Sequence, residues 1–266
     1  MSGDELIVLL ASLVLGVGGW MLWLFQIGSV EGLRPTRSPV AVSVASLAGL
    51  TLLIFGVLRL LAADDVRNAP QYLLMYCALG LAWLRMAAWL FPFAGLHPRD
   101  DVIERRNRAA LPAWIGAMAG VALCYSGANI GNGPGWWVVV FSAGLATAAL
   151  GGAWFALGVW AGLTDAVVIE RDTAAGIRLG GALAAFGLLF GAAVAGDWVS
   201  AGATIADFAG VAWPALPLLV VALPIERALR PRPEQPRVPI AAGGVLPAIG
   251  YLGAAAAAAW LGRVPW

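Results

Sequence analysis

Apolar residues run along this chain in eight long blocks, separated by short links that hold nearly all of its charge. A helix needs about 20 apolar residues to cross a bilayer. The blocks at 6–27, 40–62, 71–94, 109–127, 136–162, 174–195, 204–223 and 240–262 all approach that length. Gly, Asn and Asp interrupt the hydrophobicity at 128–135 and 196–203, where helix ends are hardest to place. The pattern predicts an all-α polytopic membrane bundle of eight transmembrane helices, a single integral membrane domain over residues 1–266.

Composition narrows this further. Hydrophobic residues make up 61% of the chain and charged residues 12%, against about a quarter charged in soluble domains. Net charge is +1, with no basic stripe of the kind that binds nucleic acid. Cys77 and Cys124 lie inside apolar blocks, and His97 is the single histidine. That donor set is too sparse for a metal centre, so both thiols are read as small apolar residues and no cofactor is expected. The start, Met1 to Glu5, lacks the basic region of a cleaved leader, so the first block is expected to remain as a helix.

Arginine placement gives an orientation. Arg34 and Arg37 follow the first block, Arg99, Arg105, Arg106 and Arg108 the third, and Arg171 the fifth. Arg227, Arg230, Arg232 and Arg237 follow the seventh. Links 128–135 and 196–203 have none, and 63–70 has Arg67 beside Asp64 and Asp65. Odd-numbered links are therefore expected in the cytoplasm and both termini outside. Basic residues that are all arginine add a hint of a GC-rich bacterial source, hence an inner (cytoplasmic) membrane.

The arginine-bearing links enter their next helices alike: Arg37-Ser-Pro39-Val-Ala41, Arg106-Asn107-Arg-Ala109-Ala110, Arg171-Asp172-Thr-Ala174-Ala175 and Arg237-Val-Pro239-Ile-Ala241. A two-crossing unit repeated in this way yields parallel hairpins, at 38–100, 107–168 and 173–232, with helices 6–27 and 240–262 flanking as a split fourth. The pairs Gly49/Gly56, Gly120/Gly127 and Gly180/Gly187, with Gly116 and Gly191, place small residues on one face of each even-numbered helix, where backbones can approach closely.

Glu104-Arg-Arg-Asn107-Arg-Ala109-Ala110 leads into Gly116, Gly120 and Gly127, while Thr164-Asp165 precedes Glu170-Arg-Asp172-Thr-Ala174-Ala175-Gly176. In these segments, residues 100–223 resemble a bacterial inner-membrane family of paired-helix repeats, the YjfL type. The second copy departs from the first where Asp172-Thr173 replaces Asn107, and helices one to three and eight lie outside the resemblance. The resemblance implies a small helical membrane domain associated with envelope or membrane-stress functions, and it carries over no catalytic residue.

Arg85 is the one charge near the middle of a block, a costly position unless it is paired, wetted or used. Thr51, Thr147 and Tyr251 match its depth, so the four are candidates for a polar pocket holding a small anion or lipid headgroup. A structural arginine that snorkels or ties helices is the alternative. Asp207 is about 16 Å away along the bundle axis, and it is read instead as an acid in a helix's first turn. Arg59 and Arg178 read as anchors at helix ends, and Ile225-Glu226-Arg227 as part of a solvated link. The charge-free segment with Asn129, Asn132, Trp136 and Trp137 is either a ligand-cradling outer loop or a tight turn followed by interfacial tryptophans. Deeper tryptophans, among them Trp83, Trp89 and Trp114, read as packing, with a groove for a hydrophobic cofactor as the alternative.

With no second titratable group at the depth of Arg85, an intramembrane enzyme is not expected. The leading expectation is a scaffold or assembly component whose partners are the lipid bilayer and other envelope proteins, or a second copy joined through Gly-rich faces. The alternative is a small-solute or ion transporter with Arg85 on its path. A continuous cavity joining Arg85 to Asn129 would mark the transporter, and a dry interior the scaffold.

Overall fold

The apolar blocks fold as helices. The structure, a computed structural model, describes residues 1–31, 39–231 and 238–262, and it is 84% helical with no strand among the described residues. In chain order the main helices are α1 (Gly3–Gly28), α2 (Pro39–Leu61), α3 (Pro70–Ala94), α4 (Ala110–Gly127), α5 (Trp136–Ala161), α6 (Thr173–Ala193), α7 (Ala201–Ala212), α8 (Ala215–Leu229) and α9 (Ala241–Leu261). Seven can cross a bilayer alone, and α7 with α8 makes an eighth crossing bent by 47°. The bend falls at Trp213-Pro214, where proline has no N–H to continue the ladder and crowds the residue before it. This crossing runs from Ala201 to Leu229 rather than over 204–223, which moves Asp207 out of the first turn and draws Glu226 and Arg227 into a helix.

Local chemistry sets the helix starts. Ser2 and Glu5 form a capping box at α1, and Ser200 accepts the Ala203 N–H at α7. Two junctions share one backbone. Arg106 (φ 49°) and Arg171 (φ 52°) are both left-handed, which is unusual for a side chain of this size. Each follows a wide turn: Asn107 N–H donates to the Asp101 carbonyl (2.9 Å), and Asp172 N–H to that of Ala166 (2.9 Å). Asn107 then accepts the Ala109 N–H, and Asp172 accepts those of Ala174 and Ala175. The Asn-to-Asp difference thus preserves the job, because either side chain caps through an oxygen. Asn107 also donates to the Val167 carbonyl (2.8 Å), tying one junction to the other.

The centre of the bundle is the α4–α6 pair. In their apolar windows 72% and 78% of residues are buried, against 11% in α2 and 22% in α9, so the pair is apolar all round and surrounded. A Cβ on Gly116 would lie 2.2 Å from the Gly180 backbone, and one on Gly127 2.0 Å from the Gly191 carbonyl. Gly120 meets Leu183 and Gly187 in the same way. Gly49 and Gly56 behave differently: nothing lies within 4 Å of either, so the expected close-approach face on α2 meets no helix among the described residues. The row α2, α4, α6, α9 runs through the molecule, with α3 against α2 and α4, and α5 against α4 and α6. On one flank α1 crosses α3, where Gly16 lies against the Ala78 and Ala82 backbone. On the other, α8 packs on α5, α6 and α9.

The helices carry two chemically different faces. Met1 and links 62–69, 128–135 and 194–200 share one, here the N-terminal face, as the Trp136–Asp4 and Asn132–Asp197 contacts show. Links 95–109 and 162–172 share the other, the arginine face, with the end of α8.

The glycine contact makes a sharp expectation. Gly116→Ala forces a methyl into the Gly180 backbone and should cost about 1–3 kcal/mol of stability, whereas Gly49→Ala meets open space and should be neutral or slightly stabilising. Thermal unfolding of the two variants in one detergent measures the difference. Equal melting temperatures would remove the α4–α6 contact from its central place.

Candidate functional site

On the N-terminal face the links fold over a cavity of about 220 Å³. Asn132 donates its backbone N–H (2.7 Å) and its side-chain amide (2.9 Å) to Asp197, while Gly196 and Trp198 N–H groups bond back to the Ile130 and Asn132 carbonyls. The 128–135 segment is therefore pinned to 194–200 as a surface clasp. Gly131 (φ 110°) allows it: a Cβ there would sit 2.2 Å from the Gly196 carbonyl. Trp137 stacks edge-on to Trp198 at 5.0 Å, Trp136 donates to Asp4, and the buried Asn129 caps α4 by donating to the Tyr125 carbonyl.

Glu5, Asp65, Asp197 and Asp207 line this vestibule, with Tyr72, Tyr76 and Ser142, and no arginine is among the lining residues. Glu5 accepts the Tyr72 hydroxyl at 3.1 Å. Asp207 is exposed and, as the seventh residue of α7, lies about 9 Å below that helix's start at 1.5 Å per residue. Its first-turn dipole explanation does not apply, because the dipole acts within the first turn. No three His, Cys, Asp or Glu residues are placed to hold a metal among the described residues.

Arg85 lies in a different place. It lines a slot of about 170 Å³ with Trp20, Trp23, Trp89 and Trp114 that continues to His97, Arg99 and Asp100 on the arginine face. The predicted companions do not converge on it. Thr51 donates to the Leu47 carbonyl in its own helix (2.8 Å), Thr147 accepts the Trp83 indole N–H (3.1 Å), and Tyr251 donates to Glu226 (2.8 Å). The residues share a depth along the axis, but each helix directs its residue to a different partner.

The structure also contains a buried charged group, at Arg178 and Glu226. Arg178 is neither an interfacial anchor nor Glu226 a solvated link residue: both are about 1% exposed. Arg178 Nε donates to Glu226 at 2.5 Å, its guanidinium also donates to the Gly243 carbonyl, and Tyr251 completes the carboxylate's partners. The triad ties α6, α8 and α9 together near the arginine face. The signal available in sequence was a Glu one helical turn beyond the expected end of the seventh block, behind a proline that the helix tolerates (Pro224).

The vestibule and the Arg85 slot share no lining residue. On α3, between Tyr76 of the vestibule and Arg85 of the slot, Leu79 and Leu84 are buried; on α4, between Trp114 and Ala128, so is Tyr125, which donates to the Tyr76 carbonyl at 2.6 Å. The molecule is a multi-pass integral membrane protein, with eight crossings if the bent pair counts as one. Comparison with models of known families, with curated proteins and with solved structures finds no match.

Breaking a buried ion pair from one side strands a charge and costs about 3–5 kcal/mol, while replacing both partners by apolar groups is often neutral. Glu226→Leu alone should therefore strongly lower the melting temperature, and Glu226→Leu with Arg178→Met should recover most of the loss. Additive single effects in that double-mutant cycle would show that the pair contributes nothing as a pair.

Proposed function

We propose that this protein is a non-enzymatic assembly component of a bacterial inner membrane, oriented with its arginine face in the cytoplasm and both termini outside, and built from repeated helical hairpins. One observation carries the reading: the polar cavities of the two faces are separated by a packed apolar layer. A transport path needs a polar route; a scaffold needs a rigid interior, which backbone contact between α4 and α6 provides. The repeat reading draws support from the matching junctions at Arg106-Asn107 and Arg171-Asp172. Orientation draws support from the excess of arginines on one face. The resemblance of residues 100–223 to the YjfL type points to an envelope role of the same kind.

A second reading has its own observation. Asp207 faces the vestibule from a broken helix, and broken helices line substrate sites in many transporters. On that reading the vestibule collects cations and opens inward by movement at Pro214.

Accessibility separates the two. In a Cys77→Ala, Cys124→Ala background, single cysteines at Asn132 and Asp207 should react with a membrane-impermeant maleimide applied to the N-terminal face. Cysteines at Ala146 and Thr147 should stay unreactive from either side. Reaction at 146 or 147 reveals a water path and overturns the assembly reading in favour of transport. Blue-native electrophoresis of gently solubilised membranes supplies the positive arm: an assembly component migrates in a larger complex, and migration as a lone chain removes the proposal.

A further inference from the structure

The Arg85 guanidinium is held from three sides yet has no counter-ion among the described residues. Its Nε donates to the Gly19 carbonyl at 3.2 Å, and its central carbon lies 4.5 Å over the Trp89 ring and 5.6 Å over that of Trp20. Gly19 makes the room: a Cβ there would come within 3.1 Å of the arginine's Cγ. None of the ion pairs among the described residues includes Arg85. Asp100 lines the same slot without pairing with it, and Arg99 is committed to Glu104 at 2.9 Å. One edge of the arginine is thus anchored, while the half-buried group lines a cavity that leads to the arginine face.

A charge at that depth is expensive without compensation. Stacking on tryptophan recovers part of the cost and also fixes the plane of the guanidinium, so its donors are presented in a set direction. Planar forked donors match the oxygens of a phosphate. A bilayer supplies that group at high local concentration, and tryptophan walls suit the boundary between headgroup and acyl chain.

We propose that the Arg85 slot binds a phosphate group, carried by a phospholipid of the leaflet adjoining the arginine face or arriving as free phosphate. The site is independent of the assembly reading, because a structural lipid can serve a scaffold or a transporter equally. In this site Arg85 supplies the charge, Trp20 and Trp89 orient it, and Gly19 anchors its inner edge.

Native mass spectrometry of the delipidated protein tests this, with phosphatidylglycerol, phosphatidylethanolamine and diacylglycerol of matched chains as probes. Both phospholipids should give a retained adduct that diacylglycerol, lacking phosphate, does not. Arg85→Leu should weaken retention about tenfold or more, the scale of a lost charge-assisted hydrogen bond. Should Arg85→Leu fail to fold, Arg85→Lys, which keeps the charge but loses the fork, and Trp89→Leu, at an exposed position, carry the test; each should still weaken retention. Millimolar inorganic phosphate separates the sources: displacement of the adduct identifies free phosphate as a competing occupant, and persistence identifies the lipid. Equal retention of phospholipid and diacylglycerol, or undiminished phospholipid retention by the folded variants, overturns the proposal.

Discussion

Where Gly116 meets Gly180 and Gly127 meets Gly191, two helix backbones touch without side chains between them. In lipid there is no hydrophobic gain from pressing apolar helices together, since the surrounding tails are equally apolar. What holds such a pair is close contact along its length, and contact of this kind is lost steeply with small separations. The other helices take their places from it. α5 lies against both members, α3 against α4, and α9 against α6, where Gly181 meets Ala248. A shift of α4 against α6 would therefore distort the vestibule, because Asn129 extends from the end of α4 and Val194 to Trp198 from the end of α6.

Charge is treated in three ways according to depth. Arg178 and Glu226 are buried together as a pair, with the Gly243 carbonyl accepting from the guanidinium and Tyr251 donating to the carboxylate, while one guanidinium nitrogen of Arg178 keeps no partner among the described residues. Asp207 remains exposed, and its partner is the space of the vestibule. Arg85 is intermediate: stacked, anchored at one nitrogen and without an ion-pair partner among the described residues. The contrast matters for function. A buried pair binds helices and leaves little for a ligand, while an oriented cation without a counter-ion retains its capacity to bind one.

The helical class and the positions of most crossings were legible because hydrocarbon imposes length and apolarity on each segment. Even the loosely matching junction at Asp172 proved equivalent in geometry to Asn107, since capping depends on an oxygen at one position. The site was much less legible. Sequence gives depth along a helix but leaves rotation about its axis undetermined when hydrophobicity surrounds the helix. So Thr51, Thr147 and Tyr251 share a depth with Arg85, although their hydrogen bonds go to separate partners. Glu226 was missed for another reason. A proline followed by Glu and Arg reads as an exit from the membrane, yet α8 tolerates Pro224 and its next turn is covered by α6 and α9.

The ends of the helix row show why one small-residue pattern yields opposite outcomes. Gly120 and Gly187 are spaced to meet each other, whereas Gly49 and Gly56 on α2, and Gly250 and Gly253 on α9, have nothing within 4 Å among the described residues. Glycine permits close approach but does not cause it; a second surface must present matching backbone at the same height. α4 and α6 satisfy this because their preceding turns are of equal length and are tied together by Asn107 and Val167, which fixes the relative height of the two helices and with it the register of the facing glycines. The left-handed Arg106 and Arg171, each closing a wide turn of the same form, therefore act on the Gly116–Gly180 contact, 10 residues beyond Arg106 and nine beyond Arg171. Register is set at the arginine face and spent in the middle of the membrane.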